Sequence, residues 1–175
     1  MNGSIAEQER VKYAEIWSKQ DYSSRDWMQF ADYIIATVPK YATILEVGCG
    51  DGRMIRYLTD EGYKVFGLDI TTNQVTGVKE NRLFTAPVWK TDLCNNAVDY
   101  VISTDVMEHI PPEMVDISIK ELARVAKMGQ IHRIATFPDH EYHGHKVHLS
   151  VHPIEWWREK FAEVCGNTYF EILER

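Results

Sequence analysis

The feature that most constrains this chain is the run Ile44-Leu45-Glu46-Val47-Gly48-Cys49-Gly50-Asp51-Gly52. Its apolar start reads as a buried strand and its alternating glycines as a tight turn. The segment from Arg53, with Met54, Ile55 and Leu58 at helical spacing, reads as a helix. Glycine lets the main chain bend sharply and lets a ligand approach it closely. The helix start behind such a turn presents unpaired N–H groups and the positive end of the helix dipole. A strand feeding a helix in this way implies an α/β sheet, whose ligands collect at the carboxyl ends of parallel strands.

The rest of the chain keeps that alternation. Residues 5–20 and 23–38 read as two opening helices, the second with Trp27, Phe30, Ala31 and Ile34 on one face. Strands are expected at Thr43–Val47, Lys64–Leu68, Pro87–Thr91, Tyr100–Thr104, Ile131–Phe137 and Tyr169–Leu173. The helix from Arg53 should stop at Gly62, and Thr71 or Thr72 can cap a short helix that Gly77 weakens. A further helix should open at Pro112 and Glu113, carry the stripe Val115, Ile119, Leu122 and Ala126, and end with Lys127 in its last turn and Gly129 as cap. The last helix is expected at Ile154–Val164, with Trp157, Phe161 and Val164 on one side. The pattern predicts a doubly wound, mainly parallel sheet with helices on both faces. One domain spans 1–175, with 1–40 as a helical lid segment and 41–175 as the core.

Composition narrows the class. A length of 175 residues suits one domain, and 45% hydrophobic with 26% charged residues is the balance of a soluble globular protein. No apolar run approaches the ~20 residues of a membrane span, and the N-terminus lacks the basic-then-apolar pattern of a secretory signal. Three cysteines, Cys49, Cys94 and Cys165, make no disulfide framework, so a reducing, cytoplasmic setting is expected. The formal net charge of −7 opposes phosphate-backbone binding. No nucleic-acid or membrane partner is expected; oligomeric state is not legible.

Acids sit where ligand chemistry would need them. Asp69 ends the second strand, where a carboxylate can accept both hydroxyls of a ribose or simply cap the next helix. Asp92, ahead of Leu93, follows the expected third strand, as a ligand contact or as a turn-forming residue. His109 follows the fourth strand, where an imidazole titrating near neutrality could act as general base or hydrogen-bond within the turn.

Two further clusters stand out. Residues 139–152 hold five of the chain's seven histidines. That density invites a metal, yet no spacing matches a zinc pattern, and a loop that closes over substrate is the simpler reading. Tyr13, Trp17 and Tyr22 are either plain core or an aromatic lid.

Taken in order, the E-x-G-x-G-x-G run from Glu46, Asp69, Asp92 and the segment Val98-Asp99-Tyr100-Val101-Ile102-Ser103-Thr104-Asp105-Val106-Met107-Glu108-His109-Ile110-Pro111 resemble the motifs of class I, Rossmann-like S-adenosylmethionine-dependent methyltransferases of the small-molecule type. The resemblance covers about residues 40–137. It implies S-adenosyl-L-methionine as cofactor, held by Glu46, Gly48, Cys49, Gly50, Arg53, Asp69, Ile70, Asp92, Leu93 and Thr104. In that family an acid at the place of Asp92 reaches the adenine amino group. The implied reaction is methyl transfer to an oxygen or nitrogen of a small-molecule acceptor, with His109 as the catalytic residue. Asp105, Glu108 and His109 also resemble the acid–acid–histidine metal set of some quinone-biosynthesis O-methyltransferases, but Asp105 replaces a glutamate there, and no metal is expected. The family normally adds a seventh, antiparallel strand, for which no segment is visible. Two alternatives stay open: a non-catalytic nucleoside-binding module, and a dinucleotide-dependent oxidoreductase, against which Arg53 stands where G-x-G-x-x-G needs its last glycine.

Overall fold

In a computed structural model of the protein, residues 4–19, 27–139, 141–165 and 169–175 are described. Tyr22 and His140, and the first residues of the second expected helix, lie outside them. The elements are α1 (Ile5–Ser18), α2 (Trp27–Thr37), β1 (Thr43–Val47), α3 (Arg53–Asp60), β2 (Lys64–Asp69), β3 (Leu83–Thr85), β4 (Val98–Thr104), α4 (Val115–Val125), β5 (Ala126–Ile134), α5 (Ile154–Cys165) and β6 (Tyr169–Glu174). The six strands form one sheet in the order β3-β2-β1-β4-β5-β6, with every pairing parallel. This is the doubly wound, parallel α/β sheet that the alternation of strands and helices predicts. No antiparallel seventh strand occurs among the described residues, and β6 pairs directly with β5. No helix among the described residues is long and apolar enough to cross a membrane.

Strand pleating divides the core. Leu45, Val47, Leu68 and Val101 pack with α4 and α5 around Ile119, Leu122, Trp157 and Phe161. Ile44, Val65 and Ile102 point the other way, onto Phe30, Ile34, Met54, Ile55 and Leu58 of α2 and α3. Side chains alternate across a strand, so Glu46 and Asp69 fall on the α2/α3 side, at the carboxyl ends of β1 and β2.

Three expectations are corrected. The third strand is Leu83–Thr85, paired to Gly67–Asp69, and Pro87–Thr91 is loop. No helix follows Thr71 or Thr72 among the described residues. The Asp69 carboxylate instead accepts the Thr71 N–H at 3.2 Å, and Gly77 adopts a left-handed φ of 68°. The helix from Pro112 begins as one 3-10 turn and ends at Val125, so Ala126, Lys127 and Gly129 belong to β5. Gly129 is no cap. A Cβ there would lie 2.4 Å from Cδ1 of Tyr169 on β6, so glycine is what lets the two strands close up.

Candidate functional site

The site grows from the turn between β1 and α3. Gly48 has φ +65°, and a Cβ there would meet Val106 Cγ2 at 2.3 Å, so only glycine lets the β1 turn and the β4 turn touch. The Gly50 N–H donates to Asp69 Oδ2 at 2.9 Å. Together with the Thr71 N–H on Oδ1, this fixes the carboxylate in place at the strand end.

A cavity opens over these strand ends. Gly48, Asp69 and Ile70 form its floor, Val88 and Trp89 one wall, and Val106, His109 and Ile110 another. Glu9, Tyr13 and Trp17 of α1 reach it from above. Its charged lining residues are Glu9, Asp69 and Asp105; no lysine or arginine lines it among the described residues.

The electrostatics follow from burial. Glu46 is buried, and its Oε2 has no hydrogen-bond partner among the described residues. Burial, with the charges of Asp69 and Asp51 nearby, holds its carboxyl well above the ordinary range. Burial also pushes Asp69 up to about 6, against the hydrogen bonds from the Gly50 and Thr71 N–H groups. Glu108 is pushed up to about 8 by burial and by the Asp105 charge. Burial drives His109 down to about 3, with the charges of His148, Lys12 and Arg175 adding to it. His109 is therefore neutral at physiological pH. The cause is that an imidazole buried beneath α1 is poorly solvated as a cation.

Of the residues the sequence pointed to, the fold brings Gly48, Asp69, Ile70 and His109 to the cavity, with Tyr13 and Trp17 above it. Tyr13 Oη and His109 Nδ1 lie 2.8 Å apart, tying the lid helix to the β4 turn. Gly50 lies beneath Trp17, whose ring a Cβ would meet at 3.1 Å. Cys49 turns its side chain inward, so that a Cβ on Gly67 would sit 2.9 Å from its sulfur. Arg53 folds back onto the Asp51 carboxylate, its Nε 2.9 Å from Oδ1.

Three residues are placed elsewhere. Asp92 is exposed with φ 57°, and Leu93 packs on the α4/α5 side of the core, because the true third strand ends seven residues before Asp92. Thr104 is turned to Arg133, whose Nε donates to its hydroxyl at 3.1 Å across the β4–β5 register. Asp105 does not join Glu108 and His109, since its carboxylate faces Arg175 at 3.3 Å and Arg133 at 3.8 Å. Sequence reasoning missed Val88 and Trp89 as cavity walls; the signal was an apolar run directly after a strand, which was itself read as the strand.

Comparison with known proteins decides the family. The family described as Methyltransferase domain matches residues 45–134. The chain belongs to it. This is a family of S-adenosylmethionine-dependent class I methyltransferases. Among curated relatives, the human tRNA N(3)-cytidine methyltransferase METTL6 is 32% identical over 77 residues, covering 43% of this chain and 25% of that protein. The 2-methyl-6-phytyl-1,4-hydroquinone methyltransferase of Synechocystis sp. is 28% identical over 152 residues, covering 79% of this chain and 46% of that protein. The chain thus spans between a quarter and a half of these relatives' length. Among solved structures, the Burkholderia thailandensis 1,6-didemethyltoxoflavin-N1-methyltransferase, bound to 1,6-didemethyltoxoflavin and S-adenosylhomocysteine, superposes with a TM-score of 0.72 at 15% identity. That superposition covers 96% of this chain and 82% of the other, and bears on the fold alone.

Proposed function

We propose that the protein transfers a methyl group from S-adenosylmethionine to a small-molecule acceptor held under α1. The observation that supports this best is the pair of buried carboxyls at the strand ends: Asp69 lines the cavity beside the glycine turn and Glu46 is buried at the end of β1, while the lining acids Glu9 and Asp105 are paired with Lys12 and with Arg175 and Arg133. Such a site suits a nucleoside carrying a sulfonium and an ammonium. It would repel the pyrophosphate of a dinucleotide and the backbone of a nucleic acid. The residues therefore fit the cofactor. When bound, S-adenosylmethionine supplies a methyl group already activated on sulfur.

The chain's own residues do the rest. Asp69 holds the ribose hydroxyls with its carboxylate, Gly48 and Gly50 let the ligand meet the main chain, and Ile70 and Val88 cover the base. Glu46 offsets the cofactor's positive charge. Tyr13 and Trp17 exclude water from above, and alignment of acceptor and methyl group supplies most of the rate. His109 faces the acceptor as a neutral imidazole, a donor of lone pair or N–H rather than a store for a proton.

The test has two stages. S-adenosylhomocysteine should raise the melting temperature and NAD should not, because only a ligand of the folded state shifts unfolding. The reverse result would overturn the cofactor assignment. Methyl-labelled S-adenosylmethionine offered with total tRNA and, separately, with a small-metabolite extract should label only the extract. Labelled tRNA would overturn the small-molecule reading and favour the chemistry named for the mammalian relatives.

A further inference from the structure

Three metal-ligating side chains that are far apart in sequence meet beside the cavity. Glu108 and His109 sit on the 3-10 turn after β4, and His148 comes from the segment that follows β5. The Glu108 carbonyl accepts the N–H groups of Leu149 at 2.8 Å and Ser150 at 2.9 Å, and Ser150 Oγ donates to the Ile110 carbonyl at 2.7 Å. These bonds clamp the histidine-rich loop onto the β4 turn at one place. There the ligand atoms of Glu108, His109 and His148 lie within 4.8 Å of one another, all three residues buried.

His148 Nε2 faces the Asp139 carboxylate at 3.8 Å, beyond hydrogen-bond distance, and the His109 and His148 rings meet edge-on with centroids 4.8 Å apart. His148 Nδ1 lies 2.8 Å from the Phe137 carbonyl oxygen, which can only accept. Nδ1 therefore carries the proton, and the lone pair of a neutral imidazole is on Nε2. His109 has its Nδ1 on Tyr13 Oη, and its Nε2 lies 3.9 Å from Glu108 Oε1. Glu108 is fully buried; Oε1 accepts the Ala135 N–H at 3.2 Å, while Oε2 has no partner among the described residues. A carbonyl or hydroxyl on the distal ring nitrogen is the usual outer support of a metal-bound imidazole. The buried Glu108 Oε2, without a partner among the described residues, is otherwise a cost of about 1–3 kcal/mol with no return.

We propose that Glu108, His109 and His148 bind a divalent transition metal ion, zinc or a neighbour, with a coordination position open to the cavity that His109 lines. Two imidazoles and one carboxylate are the donor set of an open rather than a closed zinc site. Bonds of about 2.0–2.2 Å need only a small contraction of the cluster. This deepens the proposed function and rests on it for what the ion acts upon: an acceptor with a weakly acidic hydroxyl, a phenol or an enol. Its O–H bond breaks, the proton passes to water, and the oxygen binds the ion as an anion. The resulting acceptor class is oxygen rather than amine nitrogen.

The experiment uses the full chain. After chelator treatment and dialysis, Co²⁺ is titrated in and the visible absorption of the bound ion is followed. One equivalent should bind, and His148→Ala and Glu108→Gln should each lose at least tenfold in affinity while keeping the S-adenosylhomocysteine melting shift. Acetohydroxamate, an oxygen-donor probe, should change the Co²⁺ spectrum. Should the variants fail to fold, NMR of the wild-type Co²⁺ protein decides, and two hyperfine-shifted imidazole N–H signals are expected. Absence of stoichiometric binding, binding indifferent to both substitutions, or no shifted imidazole signals would overturn the metal site. An acetohydroxamate-silent spectrum would overturn the open position and the acceptor class. Loss of S-adenosylhomocysteine binding by the wild-type protein would count against the proposed function alone.

Discussion

Gly48→Ala tests the contact that brings the two ligand-bearing turns together. The backbone there has φ +65°, and the new methyl would lie 2.3 Å from Val106 Cγ2 and 3.3 Å from its Cβ. Holding alanine in the left-handed region costs about 1–2 kcal/mol, and overpacking a methyl into a filled space costs about 1–3 more. The sum, roughly 2–5 kcal/mol, corresponds to a fall in melting temperature of about 5–15 °C for a chain of this size. Gly62→Ala is the control, because Gly62 has φ +92° but nothing within 4 Å of a Cβ, so only the backbone cost applies. Val106→Ala on the Gly48→Ala background removes both Cγ atoms and leaves the tolerable 3.3 Å contact. It should return about 1–3 kcal/mol in a double-mutant cycle. Urea and thermal denaturation read the wild type, the three single variants Gly48→Ala, Val106→Ala and Gly62→Ala, and the double variant, and S-adenosylhomocysteine titration reads the site. If Gly48→Ala is no worse than Gly62→Ala, or if Val106→Ala returns nothing, the steric account of the turn is wrong.

Asp69 has a folded pKa of about 6 against 3.8 for the free side chain, so its charge penalises the folded state. Stability of the free protein should fall as pH rises between those values, and Asp69→Asn should flatten that slope while weakening S-adenosylhomocysteine about tenfold to a hundredfold. An unchanged slope in pH-dependent unfolding would refute the assignment. Gly129→Ala should destabilise by about 1–3 kcal/mol in urea, because its methyl meets Tyr169 Cδ1 at 2.4 Å and the Tyr169 carbonyl oxygen at 3.0 Å. Trp17→Ala should lower S-adenosylhomocysteine affinity measured by calorimetry while changing urea stability less than Gly48→Ala does, since it opens the cavity roof rather than the sheet. Equal losses in both would make Trp17 plain core.

What was legible in the sequence was what local pattern controls. The strand, turn and helix around Gly48 announce themselves because apolar alternation, glycine and helical spacing change over within a few residues. Asp69 and His109 were legible because each ends or follows a strand whose apolar run is unmistakable. The errors arose where two local codes coincide. Lys127 and Gly129 after an apolar stripe imitate the base and glycine that end a helix, yet Gly129 is required by Tyr169, forty residues later. Pro87-Val88-Trp89 imitates a strand, while the true edge strand, Leu83–Thr85, has three residues and too little pattern to show. Displacing that strand displaced Asp92 with it. His148 stood out only as one of many loop histidines. Its approach to Glu108 depends on backbone hydrogen bonds that no spacing rule contains.

The buried carboxylates show why stability alone does not account for this sequence. Glu46, Asp69 and Glu108 stand at or just after the carboxyl ends of β1, β2 and β4, and each is less than a tenth exposed. A chain selected only to fold would place apolar residues there, since replacing buried charge by matched apolar groups is often neutral or stabilising. Burial holds all three carboxyls above their ordinary range. The free fold therefore carries an electrostatic strain of one sign, concentrated along the strand ends. A bound proton or a positive ligand relieves strain of that sign. In the proposed function the cationic cofactor would do so at Glu46 and Asp69, and the proposed metal ion would do so at Glu108. The glycine turn and the β4 turn meet through Gly48 and Val106, and Asp69 and His109 line one cavity, so a cation at each would leave between them the space for a neutral or anionic acceptor.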